Sequence, residues 1–369
     1  MSHDPSDYMP TAEEINAAFN GETIRQKLSI RSPNELINMT FDESDLLLGD
    51  RLLARGQPMT ILAPGGTGKS RILLQLLACL VTDRDFIGLP CHGRGMKWLL
   101  FQTENSCRRL QSDLHRIKAW IGNDWAEFDA ALKIHTMEHD EDGMVYLSDV
   151  SNQKAIGDLI IEHAATGVAF DPLGDFSMGD PNKDQDMRDT CRCISKLCKK
   201  NNPDRAIIVV HHAGTGKAGA MKATGYDRTS FGRNSKVLHS WTRGQINIAS
   251  GTSDSNESLV IACGKCSNGR EFEPFGVKLN LDTMIYEIDE SFDVDAWQEQ
   301  VSGEKTNGHL TPERVRELCP VPGISKPDFA RLLTQEHGLS RATAYRYIDS
   351  AEKVKQINRS RTDGNYFRG

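Results

Sequence analysis

The chain lacks any apolar run long enough to cross a bilayer: its longest, Ile72 to Val81, is interrupted by Gln75, and a membrane helix needs about 20 such residues. The opening MSHDPSDYMP has no basic-then-apolar order, so secretion is not expected. Disulfide scaffolding is also missing. The nine cysteines form no regular framework, which suits a reducing cytoplasm. Cys263-x-x-Cys266 has a metal-ligand spacing, but no second pair follows at the distance a zinc site needs. Aromatics make up only 7% of the residues and are scattered, showing no cofactor box. There is no internal repeat and no low-complexity tract. What is present, 38% hydrophobic and 26% charged residues over 369 positions, suffices for a large globular body with an appendage and no membrane partner.

Charge divides this chain unevenly. Residues 309–369 carry 11 Lys and Arg against 7 Asp and Glu, so the overall balance of -7 splits into +4 there and -11 over residues 1–308. An acidic body with a basic tail is the expectation. Residues 1–45 are polar, with helical patterning around Ala12 to Phe19 and Pro33 to Ile37. Residues 46–290 alternate β-rich runs with helical stretches. Met59–Leu62, Lys97–Phe101, Gly167–Phe170 and Ala206–Val210 are nearly continuous apolar runs, as parallel strands covered on both faces should be. Gln245–Ala249, Leu259–Cys263 and Val277–Asn280 alternate better and suggest an antiparallel extension. The fold class expected is α/β, a mostly parallel doubly wound sheet. Residues 291–308 are polar and read as a linker, and 309–369 as a small helical domain.

The glycine-rich segment Ala63-Pro-Gly-Gly-Thr-Gly-Lys-Ser70 follows a β-run and opens an apolar helix. That is the Walker A arrangement, with alanine where its first glycine usually stands. Pro64, Gly65, Gly66, Thr67 and Gly68 would turn backbone N–H groups toward the phosphates of ATP. Lys69 would neutralise the β and γ oxygens, Ser70 would hold Mg²⁺, and Arg71 would border the site. Gly214-Thr-Gly-Lys217 resembles a second copy, but Ala218 replaces the required hydroxyl and a mobile loop is the better reading. Asp171 ends the strand GVAF and suits a Walker B carboxylate on the metal shell. Glu104, at the end of KWLLFQT, can orient the attacking water.

In this order the features resemble the RecA-like core of hexameric replicative DNA helicases, especially the plasmid and phage RepA-like branch. The resemblance runs from about Leu46 to Ile288, carried by APGGTGKS, FQTENSCRRL, AFDPL, VVHHAGTGK and LVIACGKCSN. It implies that His211 or His212 senses the γ-phosphate and that Lys265 reaches a neighbouring subunit's nucleotide. It also implies a trans-acting arginine, either Arg233 or Arg243, and a homo-oligomer, expected to be a hexamer. In such rings the loops at 174–189 and 213–232 line the channel and hold single-stranded DNA. Lys217, Lys222 and Arg228 are the cations for that task, with Lys183 behind them. Tyr226 and Phe231 could stack on bases or pack beneath the loop.

The tail has a separate logic. Thr311-Pro312 and Ser325-x-x-Asp328 are helix starts. Gly338 ends one helix and Ser340 caps the next, which carries Ala344, Ile348 and Ala351 on its inner side. Arg341 and Arg346, on the outer side, could contact duplex DNA as a recognition helix does. Asn358 to Phe367 reads as a hairpin with an Asp-Gly turn, hence a winged helix-turn-helix. The leading expectation is an ATP-dependent helicase. A DNA-binding regulatory ATPase and a recombinase-like filament former stay open beside it.

Overall fold

The computed structural model describes residues 30–40, 45–137, 145–232, 235–252, 255–302, 310–337, 339, 341–360 and 363–369. The chain forms two compact units, residues 1–45 and 46–369. In the first, helix α1 (Pro33–Ile37) is opened by Ser32, whose side chain accepts from Glu35 N while Glu35 reaches back to Ser32 N. The expected helix around Ala12 to Phe19 lies outside the described residues.

The second unit begins with a short antiparallel ribbon, β1 (Leu46–Leu48) and β2 (Leu53–Ala54). β3 (Pro58–Ala63) runs through the glycine loop into α2 (Lys69–Thr82). β4 (Trp98–Gln102) precedes α3 (Cys107–Ile121), α4 (Trp125–Ala131) and β5 (Leu132–Ile134). Helix α5 (Val150–Glu162) leads to β6 (Gly167–Asp171), and α6 (Asp184–Lys199) to β7 (Ala206–His212). Next come α7 (Gly216–Met221), α8 (Ser235–Trp241) and strands β8 (Gly244–Ser250), β9 (Ser258–Cys266), β10 (Phe275–Asn280) and β11 (Ile285–Ile288). Helices α9 (Val294–Ser302), α10 (Pro312–Leu318), α11 (Lys326–His337) and α12 (Arg341–Lys353) follow, with a closing hairpin of β12 (Ile357–Arg359) and β13 (Tyr366–Arg368).

Nine strands make one sheet in the order β11-β10-β9-β8-β3-β7-β6-β4-β5. The six from β8 to β5 are parallel, and β9, β10 and β11 extend the sheet antiparallel. Alternation along the strands sends side chains to opposite faces. Ile61, Ala169, Ile208 and Val210 join a core with α2 and α3, while Leu62, Val168, Phe170, Ile207 and Val209 join another with α5 and α6. Burial on both faces explains why these strands are apolar throughout. The structure is thus α/β, with the mostly parallel doubly wound sheet expected.

Two segments differ from the sequence reading. Within 291–308, read as a linker, residues Val294–Ser302 form α9, and Trp297 packs into the core as its indole donates to Ser250 O at 3.0 Å. The segment's polar composition hid this helix, which buries Val294 and Trp297 and packs Val301 against the core. The loop at 213–232 is likewise ordered: α7 and a 3₁₀ turn, Gly225–Ser230, occupy it. Gly219 packs so closely on Gly214 that a Cβ there would clash with its carbonyl oxygen. The tail has its own core, with Ala344, Ile348 and Ala351 fully buried as expected. Gly338 and Ser340, read as helix stop and cap, lie outside the described residues.

Candidate active site

The glycine loop leaves the central strand β3, so its neighbours β7, β6 and β4 end beside it. Gly66 and Gly68 have φ of 77° and 79°, a region side chains rarely adopt. A Cβ on Gly68 would lie 2.8 Å from the Tyr286 hydroxyl. Thr67 donates its hydroxyl to Pro64 O at 2.8 Å, closing the loop on itself. Lys69, the first residue of α2, is buried and donates to Pro64 O at 3.0 Å. Burial pushes its ammonium pKa down, while the Glu104 and Asp171 charges pull the other way.

Four of the expected residues converge. Ala63 is in register with His212, and His212 Nδ1 is 3.2 Å from Lys69 Nζ. On the far side of the ring, His212 Nε2 lies 3.6 Å from Glu104 Oε1. The imidazole therefore bridges the lysine and the carboxylate. The His212 hydrogen bond holds the Glu104 carboxyl below its ordinary range, against an opposing push from burial. Of the two histidines weighed, His212 faces the site, whereas His211 is buried, its side chain on the other face of β7. Glu104 is presented by Gln102. That amide accepts from Asn105 N at 2.8 Å and donates to Asn105 O at 3.0 Å, so the chain bends with Glu104 at the apex.

Asp171 ends β6 and is 1% exposed. Burial raises its pKa to about 6, although a hydrogen bond with Ser70 pulls it down. Its Oδ1 has no hydrogen-bond partner among the described residues. A buried carboxylate oxygen left open beside a serine hydroxyl and a lysine fits a hydrated divalent cation with a phosphate chain. The residues present therefore suit both groups.

A cavity of about 440 Å³ opens from the loop, lined by Gly66, Lys69, Ser70, Glu104, Asn256 and Tyr286 among others. Arg71 also lines it, 3.6 Å from the buried Asp113, whose other oxygen accepts from Arg109 Nε at 2.8 Å. Asn256 and Tyr286 were not legible as site residues. Asn256 Nδ2 donates to Gly66 O at 2.8 Å, and Tyr286 Oη donates to Asn256 O at 3.1 Å. Both come from the antiparallel extension, 190 or more positions away, and belong to no motif. Gln102 alone carried a signal, as the one polar residue in the apolar strand WLLFQ.

Other expected residues lie elsewhere. Lys265 donates to His239 O at 2.6 Å and pairs in register with Gln245 near the start of β8, beside Arg243. Arg243 N donates to the carbonyl of Pro58, where β3 begins. These cations therefore stand at the sheet edge opposite the glycine loop, the length of β3 away, roughly 16 Å. Arg233 lies outside the described residues. Lys217 and Lys222 are exposed on and just after α7. Arg228 pairs with Glu271 at 2.7 Å. Tyr226 is fully exposed, while Phe231 is core. Arg341 lies over the Tyr345 ring at 5.8 Å, and Arg346 pairs with Asp295 at 3.2 Å.

Residues 29–218 match the family model described as an AAA domain. No curated protein matches the chain significantly in sequence. Among solved structures, a KaiC-like protein from Pyrococcus horikoshii is 12% identical, aligning over 68% of this chain and 99% of its own with a TM-score of 0.43. The RadB recombinase is 13% identical over 64% of this chain and 93% of its own, with a TM-score of 0.42.

Proposed function

The chain belongs to the AAA-domain family of P-loop ATPases, and on that premise we propose that it is a ring-forming DNA motor of the RecA-like replicative type. It would hydrolyse ATP between subunits and move on single-stranded DNA. One observation carries this reading: a single imidazole, His212, touches both the phosphate-binding lysine and the water-orienting carboxylate. Lys69 Nζ donates to the Pro64 carbonyl. Binding ATP draws Lys69 to the phosphates, which removes the cation from His212 and changes its hold on Glu104. Glu104, depressed in pKa and ionised, accepts a proton from the attacking water. Ser70 and Asp171 would hold Mg²⁺, which neutralises charge on the transferring phosphoryl when bound. His212 leads into residues 213–232, so phosphate occupancy is passed to Lys217 and Lys222.

The regulatory alternative has support of its own, since Arg228 and Arg346 are both occupied by carboxylates of the same chain. The experiment is ATP hydrolysis by purified protein with and without single-stranded DNA, with light scattering on the same samples. Strong stimulation from a hexamer-sized particle is expected, followed by strand separation on a forked substrate. Hydrolysis indifferent to DNA, from a monomer or dimer, would favour the regulatory ATPase.

A further inference from the structure

Helix α12 has one face in the core of the tail and the opposite face turned to the ATPase body. Arg346 and Lys353 lie seven residues apart, hence on one stripe and about 10.5 Å apart along the axis. Each meets a carboxylate from the segment that precedes or opens α9. The Arg346 guanidinium donates to both oxygens of Asp295, at 3.2 and 3.3 Å, and Lys353 Nζ lies 2.9 Å from Glu290 Oε2.

The contact is not built like a permanent interface. Among the described residues, the tail's apolar cluster draws on Leu310 and later positions, and no buried cluster spans tail and body. Between them lies a cavity of about 460 Å³, lined by Thr343, Arg346 and Tyr347 on one side and by Arg228, Glu271 and Gln298 on the other. Both partners of the Lys353 pair are more than 70% exposed. Ion pairs that open to water contribute little to stability, so a stronger polyanion can replace them.

We propose that this face of α12 binds duplex DNA and is covered by the chain's own carboxylates, with Asp295 and Glu290 standing where backbone phosphates would. Body and duplex then compete for the same two cations. This inference rests on the tail being a DNA-binding domain. The covering segment is also tied to the catalytic edge: Gln298 Nε2 donates to Thr224 Oγ1 at 3.2 Å, and α9 packs on α7.

The test uses the full chain and fluorescence anisotropy with a labelled 30-base-pair duplex. Glu290→Gln with Asp295→Asn should tighten duplex binding roughly three- to thirtyfold, because the competent state is no longer masked. Basal ATPase should not change, since neither residue touches the nucleotide site. Unchanged affinity in that variant, with Arg346→Ala still weakening the parent, would overturn the cover and leave the DNA-binding tail standing. Affinity insensitive to Arg346→Ala and Lys353→Ala alike would remove the DNA-binding reading itself, and the cover with it. In the unaltered chain, saturating duplex should raise amide exchange over residues 289–298, and protection there would count against displacement.

Discussion

Asp171 is a carboxylate placed where water barely reaches it, and its chemistry follows from that. Its folded-state pKa of about 6 lies above the ordinary aspartate value of 3.8. The associated stabilisation is therefore complete below pH 3.8 and is lost as pH rises through 6. Replacing Asp171 with Asn should raise the melting temperature of the nucleotide-free protein at pH 7.5 and leave it little changed near pH 4, with about 3 kcal/mol as the upper bound. Scans at both pH values check this, and an equal shift at the two would contradict it. ATPase activity should be lost in the same variant. Glu104→Gln should keep nucleotide binding while turnover falls by about a hundredfold or more, measured by equilibrium binding beside steady-state rates. Lost binding would assign Glu104 a structural role. Glu104, Asp171 and His212 stand out in the sequence because each sits at or just past the end of an apolar run, and Lys69 because it closes the glycine-rich motif. Asn256 could not: its partner is Gly66, and nothing near Asn256 announces the pairing.

Among the elements, the clearest dependence is that of α2 on β11. Gln75 interrupts the longest apolar run, and the fold supplies the reason. Its side chain donates to Tyr286 O at 2.8 Å and accepts from Tyr286 N at 2.9 Å, tying the helix behind the glycine loop to the edge strand of the sheet. Gln75→Ala strands two buried backbone groups and should cost about 2 kcal/mol, read as a shift in urea midpoint. Nucleotide affinity should weaken as well, since Tyr286 buttresses Gly68. A midpoint within a few tenths of a kcal/mol of the parent would show that β11 finds other partners. Parallel strands announced themselves because burial on both faces demands unbroken apolar runs. Strands β1, β2 and β5, two or three residues each, are too short for any period to register. Helix α9 escaped notice because its order comes from contacts far away in sequence.

For the molecule as a whole, the sheet separates two chemistries. Lys69 stands at one edge, and Lys265 with Arg243 at the other. A cation across the full length of β3 cannot serve the nucleotide of its own chain, so any catalytic part it plays belongs to a neighbour's. If Lys265 completes a neighbour's site as proposed, activity per chain should fall on dilution below the assembly range, as a reaction of higher order in protein does. Two inactive variants should also repair one another. On that reading, Lys69→Ala chains keep the donor and lack the acceptor site, while Lys265→Ala chains are the converse. Mixing them should restore part of the hydrolysis that neither shows alone, a complementation that a self-sufficient active site would never display.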